Sequence, residues 1–205
     1  MVTTSIIALN LFVFLLELVG GDGFIYRWAM IPASITAGHN WITILTAMFL
    51  HSGWAHILGN MLFLWVFGPE VEDAMRPLPF AIFYFLGGVA AAAAQILVAP
   101  HSMVPVLGAS GAIAAVMGAF LVMYPRDRIK TVVFLGWFIR VTFIPAALLV
   151  GFWFLTQLFN QVGALAAMQT SGVAYMAHIG GFLFGAATVR LFDRRPKFTY
   201  SRWEF

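Results

Sequence analysis

Residues 108–124 read GASGAIAAVMGAFLVMY, an apolar run with no charged side chain that stops before Pro125. Small side chains recur along one helical face of this run: Gly111, Ala114, Ala115 and Gly118. In lipid, a stripe of small residues lets two helix backbones approach closely. The run therefore predicts a spanning helix that packs tightly against a neighbour and begins at a polar residue, Ser110.

The whole chain has the composition of a membrane protein. Of its 205 residues, 62% are hydrophobic and 9% are charged, whereas a soluble domain has roughly 45–50% apolar and about 25% charged residues. We therefore expect a single integral membrane domain over residues 1–205, in contact with the lipid bilayer. The net charge of +3 is too small to indicate a nucleic-acid partner, and the absence of cysteine excludes disulfides and thiolate nucleophiles.

Apolar segments separated by polar loops predict an all-α fold with six transmembrane helices. The expected spans are residues 5–20, 54–67, 79–98, 110–124, 143–159 and 172–192. Between the first two spans, residues 22–53 mix tryptophan, proline and histidine with apolar residues, which is typical of an interfacial loop. The second span is expected to end at Gly68-Pro69, and residues 129–142 are expected to lie at the membrane surface.

Basic residues are unevenly divided between the two sides of this arrangement. With six spans, ten of the eleven Lys and Arg residues fall on the side of the termini, and only Arg27 falls on the other. Because such residues concentrate in cytoplasmic loops, both termini are expected to be cytoplasmic. A compact six-span chain is also expected to reside in a prokaryotic cytoplasmic membrane.

Four polar side chains are expected to meet at a similar depth. His56 and Asn60 share one face of the second span, Ser110 opens the fourth, and His178 lies six residues into the sixth. The fourth span is only about 22 Å long at 1.5 Å per residue, against a hydrocarbon core of about 30 Å. Ser110 is therefore expected roughly 8 Å below the outer surface. A polar residue at such a depth is costly and usually has a functional role.

These residue types permit nucleophilic catalysis. A histidine within hydrogen-bond reach can activate a serine hydroxyl, and close packing at Gly181 and Gly185 of the sixth span would bring His178 to Ser110. Donors for an oxyanion are available from His56, Asn60 and the Ser110 amide, which is free at a helix start. Because spans two to six carry no acidic residue in their outer halves, a Ser–His dyad is expected rather than a triad.

The motifs together resemble the rhomboid intramembrane serine proteases. They are, in chain order, His56-xxx-Asn60, Gly108-Ala109-Ser110-Gly111 and Ala177-His178-xx-Gly181-xxx-Gly185. The resemblance implies a six-helix core with Ser110 as nucleophile, His178 as general base, and an oxyanion hole made by His56, Asn60 and Ser110. It implies a serine endopeptidase that cleaves membrane-anchored, single-span substrates in or beside their transmembrane segment, admits them beside the fifth span, and needs no cofactor or metal.

Supporting roles are expected for the motif residues Gly108, Gly111, Gly181, Gly185 and His51. His51 is expected to brace the first loop through its ring nitrogens. Ala114 stands one turn after Ser110, where some rhomboid proteases have a tyrosine stacked on the histidine. Either another group orients His178 or its ring is held more loosely.

Two other classes of function stay open. A catalytically dead rhomboid-like binding scaffold would be expected to lack the serine or the histidine, and this chain keeps both Ser110 and His178. A small transporter would be expected to carry polar residues through the full depth of the membrane and internal repeats. The inner halves of the second, fourth and sixth spans are instead apolar, and no repeat is visible. The substrate and the oligomeric state are left open.

Overall fold

The structure, a computed structural model, describes residues 1–135, 138–166 and 174–195, and this part of the chain is mostly helical. The helices are α1 Val2–Trp28, α2 Pro32–Thr36, α3 Thr43–Thr46, α4 Trp54–Met75, α5 Pro77–Val98, α6 Ser110–Met123, α7 Ala146–Ala166 and α8 Tyr175–Phe192. A 3₁₀ turn covers Ala47–Phe49, and strands β1 Arg128–Leu135 and β2 Phe138–Pro145 form an antiparallel hairpin between α6 and α7.

The membrane character of the chain is confirmed by the helices themselves. Within the described ranges, three helical segments are long and apolar enough to cross a membrane: Val2–Trp28, Pro77–Val98 and Ala146–Ala164. Helix α6 is apolar but shorter. Helices α4 and α8 contain polar residues such as His56 and His178, which lower their mean hydropathy.

Helix α6 lies at the centre of the bundle. All of its residues from Gly111 to Phe120 are buried, and it packs against α8, α5 and α4. The contact with α8 is made backbone to backbone, because a Cβ at Gly181 would overlap the carbonyl oxygen of Gly111. Small residues at the contact permit this approach, which sets the start of α8 beside the start of α6.

One end of the bundle gathers the beginning of α1 and the ends of α4 and α8. The Glu72 carboxylate accepts hydrogen bonds from the N–H groups of Val2 and Thr3 at 2.7 and 2.8 Å, and the Ala74 carbonyl accepts one from Arg194 at 2.9 Å. A carboxylate is favourable at a helix N-terminus, where backbone N–H groups lack partners. The basic residues near this end are Arg76, Arg126, Arg128, Arg190, Arg194 and Arg195.

The segment between α1 and α4 packs against the loop that precedes α6, at the other end of the bundle. Met30 and Val106 form a two-way backbone bridge with N···O distances of 3.0 and 2.8 Å, and the Gly108 N–H donates to the Ala47 carbonyl at 2.8 Å. These bonds fix the chain just ahead of Ser110. The first loop therefore positions one wall of the candidate site.

The expectation of an all-α fold is wrong at the hairpin. The segment expected at the membrane surface falls largely in strands β1 and β2, which pair Thr131 with Thr142 and Val132 with Val141. β-branched and aromatic residues fill both strands, and these favour a pleated conformation. The fifth span, expected at residues 143–159, begins instead at Ala146 and extends to Ala166. Proline disfavours helical geometry in the residue before it, so the helix starts after Pro145.

The helix that contains the second expected span is longer than that span. Helix α4 continues through Pro69 to Met75, because its last turns are buried and held by the contact of Glu72 with the start of α1. Helix α1 runs beyond residues 5–20 and is interrupted at Gly21, where φ is +61°. The third and fourth spans agree with α5 and α6 within two residues. Residues 172 and 173 of the sixth expected span lie outside the described residues.

Candidate active site

Ser110 and His178 meet at the same end of α6 and α8. Ser110 is the first residue of α6, and His178 lies in the first turn of α8. The Nε2 atom of His178 is 2.8 Å from Oγ of Ser110, which is hydrogen-bond distance. The two residues are 68 positions apart in the chain, so the backbone contact between α6 and α8 is what brings them together.

Gly108 keeps the space beside the serine open. Its φ of +123° is a conformation that residues with a side chain rarely adopt. A Cβ there would lie 2.8 Å from Nε2 of His56 and 3.5 Å from Oγ of Ser110. Glycine at this position therefore leaves His56 and Ser110 facing a common space.

That space is an open cavity of about 430 Å³. The cavity is lined by Ser110 and His178 together with His56 and Asn60 of α4. All four residues predicted to carry the chemistry therefore line one cavity. Apolar side chains complete its wall, among them Phe63, Leu107, Ile113, Met117 and Trp153.

The His56 ring is oriented by Ser52, a residue that the sequence analysis did not single out. Nδ1 of His56 lies 3.3 Å from the backbone nitrogen of Ser52 and 3.1 Å from its hydroxyl oxygen. Because Nδ1 accepts the hydrogen bond of the Ser52 N–H, the neutral ring carries its proton on Nε2. This tautomer follows from the hydrogen-bond geometry. It directs an N–H donor toward Gly108 and the cavity.

Asn60 supplies a second donor on the same face of α4. It lies one turn after His56 and is buried, and its Nδ2 atom has no hydrogen-bond partner among the residues the structure describes. A buried amide that lacks a partner costs free energy. The group is therefore available to a bound molecule in the cavity.

His51 supports this arrangement through its backbone. Its backbone N–H donates to the two carboxylate oxygens of Glu17 at 3.1 and 3.0 Å. Its ring is buried with the edge toward His56, at a centroid distance of 5.1 Å. Within the described part of the chain, neither ring nitrogen has a hydrogen-bond partner. The bracing of the loop through these ring nitrogens stays a prediction, and the contact that the structure shows is the backbone bond to Glu17.

Two residues of α7, to which the sequence assigned no role, contact His178. Oε1 of Gln157 lies 2.8 Å from Nδ1 of His178, and the Trp153 ring lies 5.8 Å from the imidazole, tilted by 40°. The two are four residues apart and share one helix face. A polar residue inside an apolar helix was the available signal for Gln157. These contacts answer the question raised by Ala114, because another helix orients the ring.

Comparison with known proteins gives consistent matches. The Rhomboid domain profile matches residues 38–195. Rhomboid-like protein 11, chloroplastic, from Arabidopsis thaliana is 30% identical over 197 residues, which cover 93% of this chain and 65% of that protein. Rhomboid protease GluP from Bacillus subtilis (strain 168) is 31% identical over 189 residues, covering 90% of this chain and 34% of that protein.

A third relative is the mitochondrial presenilin-associated rhomboid-like protein of Bos taurus, 31% identical over 193 residues that cover 89% of this chain and 46% of that protein. The chain thus spans between 34% and 65% of the length of these three relatives. Their chloroplast, mitochondrial and bacterial origins do not support the expectation of a prokaryotic cytoplasmic membrane. The profile match contains every residue of the site from His51 to His178. The chain therefore belongs to the rhomboid family.

Proposed function

We propose that this chain is an intramembrane serine endopeptidase that cleaves single-span membrane proteins in or beside their transmembrane segment. The observation that carries the proposal is the 2.8 Å contact between Ser110 Oγ and His178 Nε2, in a cavity also lined by the donors of His56 and Asn60. Membership of the rhomboid family supports it, since one relative is named a rhomboid protease.

The first half of the reaction forms an acyl-enzyme. Nε2 of His178 takes the hydroxyl proton of Ser110 while Oγ attacks the substrate carbonyl carbon. The resulting tetrahedral intermediate collapses when the carbon–nitrogen bond breaks and His178 returns the proton to the leaving amine. In the second half, a water molecule gives its proton to His178 and attacks the ester. The Ser110 hydroxyl is then restored and the new carboxyl end is released.

The oxyanion of both tetrahedral intermediates needs hydrogen-bond donors. His56 and Asn60 line the same cavity as Ser110, and the Ser110 N–H lies at the start of a helix, where backbone donors lack intrahelical partners. Donors that are already oriented stabilise the developing charge without reorganisation. All groups needed for the chemistry belong to the protein, so the mechanism requires neither metal nor cofactor.

The membrane arrangement is part of the proposal. We infer six spanning helices in a single domain, α1, α4, α5, α6, α7 and α8, with both termini on the cytoplasmic side. The end of the bundle that holds Glu72 and the start of α1 also holds most basic residues, which favours this orientation. Exposed apolar side chains on α7, such as Phe152 and Phe159, suit contact with lipid. Substrates would enter beside this helix.

A single incubation tests the activity. The purified protein in detergent is mixed with a single-span reporter, and the products are identified by mass spectrometry. We expect a defined internal cleavage that disappears in Ser110→Ala and persists in Ser5→Ala, an exposed serine at the start of α1. Binding of the reporter without cleavage by the native chain would favour the rhomboid-like scaffold instead.

A further inference from the structure

We propose that Gln157 is a positioning residue that fixes the orientation and the tautomer of His178. The active unit would then be Ser110, His178 and Gln157, with a neutral amide in the place where many serine hydrolases carry a carboxylate. This inference rests on the proposed function, since it assigns a role in the same reaction. It is carried by a separate set of contacts made by α7.

Gln157 reaches the side of the imidazole that faces away from the serine. Nδ1 of His178 is 2.8 Å from Oε1 of Gln157, while Nε2 is 2.8 Å from Oγ of Ser110. Gln157 is 8% exposed, so water competes little for the bond. Both ring nitrogens are therefore engaged by protein groups, which holds the ring from two sides.

Contacts within α7 prevent the side-chain amide of Gln157 from rotating to exchange the positions of its oxygen and its nitrogen. Its Nε2 donates to Oγ1 of Thr156 at 3.2 Å and lies 3.4 Å from the carbonyl oxygen of Trp153. The Thr156 hydroxyl donates to the same carbonyl at 2.6 Å, so its oxygen is left to accept. These contacts assign the NH₂ group to α7 and leave the carbonyl oxygen facing His178.

This orientation selects the reactive form of the histidine. An amide oxygen only accepts hydrogen bonds, so Nδ1 must carry the proton. Nε2 then presents its lone pair to the Ser110 hydroxyl, as a general base requires. A flipped amide would donate to Nδ1, move the proton to Nε2 and leave the serine without a base.

On the described helices α4 to α8, no charged side chain lies near Nδ1 of His178 to compete for this role. Helices α5, α6 and α7 contain no Asp, Glu, Lys or Arg. On α4 the acidic residues lie at the opposite end, beyond Pro69, and on α8 the charged residue is Arg190, four turns beyond the first. The other titratable group lining the cavity is His56. Gln157 is thus the group on these helices that engages Nδ1.

The principal test compares three substitutions by their rate of fluorophosphonate labelling and of reporter cleavage. Gln157→Leu removes the acceptor at similar size, and we expect both rates to fall at least about 10-fold, a loss limited by the roughly 10²–10⁴-fold that general base catalysis contributes. Gln157→Glu restores an acceptor and should recover activity. Asn160→Ala, an exposed amide on the same helix, should match the native chain.

The pH profile separates positioning from a merely structural role. A carboxylate at position 157 favours the charged imidazolium, so the acidic limb of the Gln157→Glu profile should move to higher pH. Thr156→Val frees the amide to flip and should lower the labelling rate with no shift of the limb. Two results would overturn the proposal. One is a labelling rate of Gln157→Leu equal to that of the native chain. The other is an active Gln157→Glu whose pH profile has its acidic limb at the native pH.

A measurement that needs no activity keeps this inference distinct from the proposed function. In the Ser110→Ala background, ¹⁵N-histidine NMR reports which ring nitrogen of His178 is protonated. We expect the Nδ1–H form with Gln157 present and a mixture of tautomers in Gln157→Leu. An unchanged Nδ1–H form in Gln157→Leu would overturn the role of Gln157. A native chain that shows the Nδ1–H form but neither labels nor cleaves would overturn the proposed function while leaving the positioning role intact.

Discussion

Gly185 of α8 lies against the main chain of Ala115 of α6, so closely that a Cβ at Gly185 would overlap the Ala115 carbonyl oxygen. The same is true of Gly181 and Gly111 one turn nearer the site. The backbone atoms of α6 cannot move aside as a flexible side chain could, so neither position has room for a larger residue. The backbone contacts at Gly181 and Gly185 therefore set the distance between Ser110 and His178.

Gly185→Ala should destabilise the fold and separate the two helices. Overpacking costs about 1–3 kcal/mol, and the obstructing atoms here belong to backbone rather than to a flexible side chain. We expect a lower free energy of unfolding in mixed micelles and slower labelling of Ser110.

Gly151→Ala on α7 is the matched control, because nothing lies within 4 Å of a Cβ at that position. Alanine is favoured over glycine inside a helix by about 1 kcal/mol, so this variant should be as stable as the native chain or more so. Equal stability of Gly185→Ala and Gly151→Ala would contradict the close contact.

The close helix contact and the four cavity residues could be predicted because they depend on local patterns. The spacing of small residues in α6 and α8 predicts a backbone contact, and the i, i+4 spacing of His56 and Asn60 predicts a shared face. The depth of Ser110 in the membrane, inferred from the length of its helix, stays a prediction. Each of these inferences uses one helix at a time, with a known geometry.

The features that were missed depend on contacts between distant segments. Helix α4 continues past Pro69 because Glu72 meets the start of α1, a partner that no local pattern identifies. The role of Gln157 depends on which face α7 turns toward α8. Strands β1 and β2 were not predicted because residues 129–142 were interpreted as a segment at the membrane surface. In each case a tertiary contact overrides a weak local signal.

Removing the charge of Glu72 should weaken the join between α1 and α4. Its carboxylate accepts two backbone N–H bonds and the Thr3 hydroxyl bond, and hydrogen bonds to a charged group contribute about 1.5–3 kcal/mol. Glu72→Gln should lower the free energy of unfolding by a value in that range. The control is Asp73→Asn, whose side chain is exposed. A larger loss in Asp73→Asn than in Glu72→Gln would argue against this role.

His56→Ala and Asn60→Ala should slow cleavage while leaving the fold intact. Loss of one oxyanion donor typically costs about 10²–10³-fold in rate, and both side chains line the cavity of Ser110. Turnover of the reporter is measured beside the melting temperature, with the exposed His39→Ala as control. Rates close to that of the native chain in both variants would reduce these residues to structural hydrogen bonders.

Cleavage should favour substrates whose helix unwinds easily. We expect the candidate nucleophile roughly 8 Å below the surface from the helix rise, so a substrate would have to expose a carbonyl there. Gly and Pro are the residues least favourable to a helix, and we expect cleavage at a small residue near the outer end of a span, helped by Gly or Pro downstream. Substituting those residues by Leu in the reporter should lower the rate. An unchanged rate would show that unwinding is not limiting.

The most direct test of the central claim is the site of fluorophosphonate labelling. The reagent reacts with a serine activated by a base, and the other six serines of the chain, at positions 5, 34, 52, 102, 171 and 201, serve as internal controls. We predict a single labelled residue, Ser110, with labelling abolished in Ser110→Ala and nearly abolished in His178→Ala. Labelling of Ser52, or normal labelling of His178→Ala, would contradict the Ser110–His178 dyad.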